Sequence, residues 1–225
     1  MKKGILALLV VAACWGPTLQ ANDWKNAPIS EVQKAAEQGD ADAQQILVSM
    51  YSLGKGVPQD YKQAVAWSRK AAEQGHVLAQ YELGIMYSKG LGVPQDSKQA
   101  VTWFRKAAEQ GDASAQYNLG LMYDKGRGVA QDDKQAVAWY RKAAEQGDVD
   151  AQGLLGVMYD NGRGVAQDDK QAVAWYRKAA EQGNANAQGL LGRMYLHGRG
   201  VAQDDKQVVA WTRKAAEQGH ANAQG

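Results

Sequence analysis

The apolar positions of this chain fall in short helical stripes that return at a fixed interval. Between residues 76 and 111, Ala79, Leu83, Met86 and Tyr87 are spaced i, i+4, i+7, i+8, which places all four on one face of a helix. Ala100, Val101, Trp103, Phe104, Ala107 and Ala108 form a second stripe of the same kind. Asp96, with Gln99 three residues on, resembles a capping box opening this second helix. Gly111 stands where a helix C-terminus favours a left-handed residue, and Asp112 then caps the next helix. The glycines of Lys89-Gly90-Leu91-Gly92-Val93, between the two helices, permit a tight reversal. No segment sustains strand-like alternation. The pattern predicts an all-α chain of helix–turn–helix units.

The interval is 36 residues. Trp67, Trp103, Trp139, Trp175 and Trp211 keep it, and so does Lys-Ala-Ala-Glu-Gln-Gly, ending at Gly39, Gly75, Gly111, Gly147, Gly183 and Gly219. The capping pair returns as Asp60/Gln63, Asp132/Gln135, Asp168/Gln171 and Asp204/Gln207. Complete units therefore run 40–75, 76–111, 112–147, 148–183 and 184–219. A half unit (22–39) precedes them, and 220–225 starts an incomplete sixth. Such a period is the signature of a solenoid, in which each unit buries its apolar face against its neighbours. Gly84, Gly120, Gly156 and Gly192 fall inside the first helix of their units, where glycine costs about 1 kcal/mol relative to alanine. Close helix–helix approach, with Trp and Tyr rings filling the space, is the expected compensation. The five tryptophans are read as core residues.

The chain opens Met1-Lys2-Lys3, followed by an uncharged stretch from Gly4 to Ala13. Two lysines and a roughly ten-residue apolar run match a secretory signal; a spanning helix needs about 20 apolar residues. Cleavage near Leu19-Gln20-Ala21 would make residues 1–21 the signal peptide. Val11-Ala12-Ala13-Cys14 also resembles a lipobox, which would instead end the signal before Cys14 and leave that residue lipidated. Both readings make the protein exported: periplasmic, secreted or an outer-membrane lipoprotein. Without Lys2 and Lys3, 26 basic residues become 24, equal to the 24 acidic ones. Nucleic-acid binding needs a surplus of Lys and Arg in a patch, so that class is set aside. The single cysteine excludes an internal disulfide framework and a cysteine zinc site.

The unit Ala-x-x-x-Leu-Gly-x-Met-Tyr, Gly-x-Gly-Val, Asp-x-x-x-Ala-x-x-Trp-x-Arg-Lys resembles the Sel-like repeat family, relatives of tetratricopeptide repeats. Unit three carries it most fully, in Ala115, Leu119, Gly120, Met122, Tyr123, Gly126, Gly128, Val129, Asp132, Ala136, Trp139, Arg141 and Lys142. The resemblance implies a right-handed α-solenoid with a concave surface for protein or peptide partners. It also implies an adaptor role in the bacterial envelope or at a host interface, the partner being an envelope enzyme or a host protein. A secreted branch of the family ties each helix pair with a disulfide and is linked to β-lactam binding or hydrolysis. This chain lacks those cysteines, so that activity is kept only as the alternative.

Catalytic constellations are sparse. Ser52-Leu53-Gly54-Lys55 matches a Ser-x-x-Lys pattern, but neither Ser-Asp-Asn nor Lys-Thr-Gly occurs, and the motif falls on the glycine loop. His76 and His220 take the helix-capping slot, and His197 is placed in the loop; the three are too scattered for a metal pair. The expectation is a protein that is not an enzyme, with no cofactor and no metal. Positions identical in every unit build the unit, whereas those that differ are free to specialise. On the first helix these read Leu78, Glu82, Ile85, Lys89; then Ser114, Asn118, Leu121, Lys125; then Asp150, Leu154, Val157, Asn161; then Asn186, Leu190, Arg193, His197. Tyr81 and Tyr117 become Gly153 and Gly189. Partner recognition is placed on this flank, at Glu82, Ile85, Lys89, Asn118, Leu121, Lys125, Leu154, Val157, Leu190 and Arg193. The loop arginines Arg127, Arg163 and Arg199 make a second candidate, a basic ladder for a carboxylate-rich ligand.

Overall fold

A computed structural model of the protein describes residues 27–222. Residues 1–26, which include the expected signal segment with Cys14 and the first five residues of the half unit, and residues 223–225 lie outside the described residues. The described residues form eleven helices and no strand: α1 (Ile29–Glu37), α2 (Ala41–Leu53), α3 (Tyr61–Glu73), α4 (Val77–Lys89), α5 (Ser97–Glu109), α6 (Ala113–Lys125), α7 (Asp133–Glu145), α8 (Val149–Asn161), α9 (Asp169–Glu181), α10 (Ala185–His197) and α11 (Asp205–Asn222). Each even-numbered helix opens a repeat and packs on the odd-numbered helix after it, then on the one before it. Contacts run almost entirely between neighbours, which makes the chain an α-solenoid.

The caps follow the sequence with one difference. Asp96 accepts from the backbone N–H groups of Lys98 and Gln99 at 2.9 and 3.1 Å. The Gln99 side chain does not reach back to complete a capping box; the Asp96 N–H instead donates to the Tyr87 carbonyl at 2.9 Å, tying the loop to the preceding helix. His76 caps α4 through Nδ1, which accepts from the Ala79 N–H at 3.2 Å. Gly128 must be glycine on two counts: its φ is +73°, and a side chain there would run into the Ser97 carbonyl of the preceding repeat. His197 is the last residue of α10, one step short of the expected loop. The expected break at Gly219 is also missing, since α11 continues to Asn222 and takes His220 into the helix. Elsewhere that turn is held by the next repeat, as where the Asp148 N–H donates to the Ala143 carbonyl at 3.1 Å.

The helical glycines explain the spacing within a repeat. A Cβ on Gly84, Gly120 or Gly156 would lie 2.6, 2.6 or 2.5 Å from ring carbons of Phe104, Tyr140 or Tyr176. These rings belong to the second helix of the same repeat, so the compensation comes from Phe and Tyr and not from the tryptophans. In the first repeat the bulk changes sides: Val48 stands at the glycine position and Ser68 at the ring position, its hydroxyl donating to the Ala79 carbonyl at 3.0 Å. Gly192 faces Thr212, whose Cγ2 would be 3.0 Å away. The tryptophans sit between repeats. Trp103 and Trp175 are buried, while Trp67, Trp139 and Trp211 are partly buried against neighbouring clusters. A lysine three residues on covers each ring, as Lys106 does Trp103 at 4.2 Å.

A buried amide ladder binds the repeats in series. Gln80 donates to the Ala72 carbonyl of the preceding repeat at 3.1 Å, and its own carbonyl accepts from Gln110 at 2.7 Å. The same arrangement recurs at Gln44, Gln116, Gln152 and Gln188. Gly156→Ala should therefore lower stability by about 1–3 kcal/mol through overpacking, although helix propensity alone favours alanine by about 1 kcal/mol. Thermal melts check it; a rise in Tm would contradict the ring contact.

Candidate binding groove

The variable flank of the even-numbered helices divides in two. In the second repeat it is committed to neighbours. The Glu82 carboxylate accepts from Gln45 Nε2 at 2.8 Å, one repeat back, and Ile85 is half-buried in the core cluster around Phe104. Tyr81 covers Phe104 with ring centroids 6.0 Å apart, and Tyr117 covers Tyr140 at 6.2 Å. Asn118 donates to its own helix at the Ser114 carbonyl, 2.8 Å away. Lys89 and Lys125 are exposed, Lys125 pairing with Asp124 at 2.9 Å.

From the third repeat onward the flank turns apolar and opens. Leu121, Leu154, Val157 and Leu190, with Tyr117, line a groove of 660 Å³ across α6, α8 and α10. Gly153 and Gly189 form part of its floor. Unlike Gly156, neither is required by packing: a Cβ on Gly189 would meet nothing within 4 Å, and one on Gly153 only Asn184 Nδ2 at 4.0 Å. Two helical glycines thus cost about 1 kcal/mol each with no contact in return. Asp150, Asn184 and Asn186 edge the groove, with Asn184 Nδ2 donating to Asp150 at 3.2 Å. Burial pushes the nearby Asp148 carboxyl up, and the charge of Asp150 adds to the rise, against the N–H bonds that Asp148 accepts.

Arg193 and the loop arginines belong elsewhere. Arg193 bonds Asp160 at 3.2 Å and so turns away from the apolar groove. Arg163 clamps Asp124 and Asp133 of the preceding repeat at 2.6 and 2.7 Å, and Arg199 clamps Asp160 and Asp169 at 2.6 Å each. Asp124 and Asp160 are buried, and in each case an arginine of the next repeat brings a compensating charge to the carboxylate. Burial opposes ionisation of Asp124, but hydrogen bonds from Lys125 and Arg163 overcome it and hold its carboxyl below the ordinary value. The basic ladder expected from the sequence is thus already filled at two of its three rungs by the protein's own carboxylates. The third, Arg127, has Ser88 and Ser97 at the sequence positions, 39 and 30 residues before it, where the later repeats carry aspartate.

Sequence reasoning missed the buried aspartates and the role of Gly153 and Gly189 as an opening. The signal was present in the repeat comparison: Asp124 and Asp160 occur where an arginine follows 39 residues later, whereas Ser88 precedes Arg127. Ser52 lies in the last turn of α2 and Lys55 is exposed in the loop beyond it, so no base is positioned on the hydroxyl. Among the described residues no group of three or more His, Cys, Asp or Glu could hold a metal ion, and no helix is long and apolar enough to cross a membrane.

Tandem two-helix units with an open groove along their first helices define the repeat-scaffold class of α-solenoids. The Sel1 repeat model matches residues 42–76, 77–112, 113–148, 149–184 and 185–220, and the chain belongs to that family. Proteins of this family are repeat scaffolds that act through protein–protein contacts. Among solved structures the chain is similar to c5321, a protective antigen of uropathogenic Escherichia coli with an SLR fold, at 45% identity and a TM-score of 0.83. That match covers 86% of this chain but 42% of the other, so the chain spans less than half the length of that relative. A Sel1 repeat protein from Oxalobacter formigenes is 36% identical with a TM-score of 0.77, covering 84% and 83% of the two chains. An immunity protein of Pseudomonas aeruginosa, PA5088, shares the fold at 23% identity and a TM-score of 0.54, covering 91% of this chain and 84% of its own. No curated protein sequence matches the chain.

Two measurements test the contrast along the flank. Burial raises the Glu82 carboxyl, against the Gln45 hydrogen bond and the His76 charge, so the folded state holds this proton more tightly than the unfolded chain. Stability from this group is present below the ordinary Glu value and is lost as pH rises from there through the folded value. Glu82→Gln should therefore raise Tm at about pH 7, with the gain shrinking toward zero at about pH 3; an equal gain at both would sink the assignment. Gly189→Ala should stabilise by about 1 kcal/mol, opposite in sign to Gly156→Ala, and a loss would show that the floor of the groove is not open.

Proposed function

We propose that the protein is an exported, non-enzymatic scaffold that holds a protein or peptide segment in the groove over α6, α8 and α10. The observation that carries this reading is the floor and walls of that groove. Leucine, valine and tyrosine side chains face an open space in which two helical glycines have no packing role. An apolar groove on a rigid helical frame binds an extended or helical segment at small ordering cost, because the walls are already in place. Export rests on the lysine-then-apolar opening of the sequence, with lipid attachment at Cys14 as its second form. The relative described as a protective antigen supports a role at the cell envelope or host interface.

A photo-crosslinking residue at Val157 tests the reading, with capture from the envelope fraction and from host-cell lysate. One discrete crosslinked species is expected, absent from a Leu154→Glu/Leu190→Glu variant that retains the helical content of the parent. Capture unchanged by that double substitution would overturn the assignment to the groove. Turnover of the chromogenic β-lactam nitrocefin, lost in Ser52→Ala, would overturn the non-enzymatic part of the reading.

A further inference from the structure

We propose that the groove over the fourth and fifth repeats recognises a peptide carrying a large apolar ring beside a lysine or arginine. The ring seats at Gly153, with the open Gly189 beside it in the groove, and the cation meets Asp150. This inference rests on the scaffold reading above and names the chemistry of its ligand.

The protein itself supplies the template for the ring. In the second and third repeats Tyr81 and Tyr117 occupy this helical position and lie over Phe104 and Tyr140, with centroids 6.0 and 6.2 Å apart. In the fourth repeat Tyr176 retains the underlying place, fully buried, while Gly153 removes the covering ring. Gly189 repeats the loss of the tyrosine in the fifth repeat, but Thr212 takes the underlying place, so the ring-over-ring seat is at Gly153. A ligand ring placed there replaces a contact that two earlier repeats make with their own side chains. The surroundings also lose polarity along the chain: the residue after the tyrosine or glycine reads Glu82, Asn118, Leu154, Leu190. A seat between Tyr117 and Leu190 therefore suits phenylalanine or tryptophan better than a polar side chain.

The charge pattern selects the neighbour of that ring. Asp150 is the single charged residue lining the groove, it is exposed, and no lysine or arginine lines the groove with it. The nearest arginine on the flank, Arg193, is held by Asp160. The charge of Asp150 opposes ionisation of the nearby Asp148 carboxyl, which burial already disfavours. A ligand cation relieves that opposition, whereas a ligand carboxylate would add to it.

Selection of a random hexapeptide library on the immobilised full-length protein tests the proposal, followed by anisotropy measurements with the selected peptides labelled by fluorescein. Enrichment of an aromatic residue within two positions of lysine or arginine is expected. Gly153→Tyr/Gly189→Tyr restores at both positions the side chain used in the earlier repeats and so fills the seat at Gly153. It should weaken these peptides by at least about tenfold while raising Tm, so the loss would not reflect misfolding. Asp150→Asn should weaken them several-fold and flatten the salt dependence. Enrichment of acidic or ring-free sequences, or affinity retained in the double tyrosine variant, would overturn the proposal. So would sedimentation showing that the groove is filled by a second copy, a dimer split by the same substitutions. If the selected peptides lack the ring–cation pair but the tyrosine variant still abolishes crosslinking at Val157, the scaffold reading stands and this inference alone fails.

Discussion

An aromatic ring laid on helical backbone that carries no side chain sets the distance between the two helices of the second, third and fourth repeats. At Gly84, Gly120 and Gly156 the ring carbons occupy the space a methyl group would need. Dispersion falls steeply with separation, so this approach recovers packing that a wider helix pair would forfeit. It offsets the glycine's propensity cost and fixes one geometry for these three copies. The change of sides in the first repeat, Val48 against Ser68, shows that the constraint is the summed volume at the contact and not the identity of either residue.

That geometry brings polar groups of successive repeats into register. The glutamine ladder satisfies buried amides with a carbonyl from the preceding repeat and an amide from the repeat's own second helix, so neither need is met by one helix alone. Arginines on the odd-numbered helices reach the tyrosine hydroxyl of the next repeat, as Arg141 does Tyr159 at 2.6 Å. Each repeat is therefore incomplete without its neighbour, and the array is stiffened along its length. A stiff array holds a groove open before any ligand arrives, which reduces the ordering cost of binding.

The fold was legible because its information is local and repeated. Apolar spacing, the Asp and Gly punctuation and the 36-residue step all act within one unit, and five copies leave little room for a chance match. The groove was legible only in outline. Leu121, Leu154, Val157 and Leu190 vary between repeats and line it, yet Ile85 and Glu82 vary in the same way and face neighbours. The reason is geometric: residues three or four apart on one helix share a flank, but contact across repeats depends on partners 30 to 39 residues away, such as Asp133 and Asp124 for Arg163. Helical spacing is silent about those pairs.

Variation between copies therefore has two separate sources. Some irregular residues vary because they pair with other irregular residues: Glu82 with Gln45, Arg199 with Asp160, Arg193 with Asp160. Such changes are matched inside the molecule, and a partner would gain nothing from reading them. Gly153 and Gly189 are of the other kind, since removing a tyrosine side chain is answered by no compensating residue nearby. An unmatched loss leaves apolar wall exposed to water, a penalty near 25 cal/mol per Å² that only an external group of similar shape can recover. On the proposed reading, recognition thus falls to the two positions where the repeat gives up contact, more than to those where it merely changes residue.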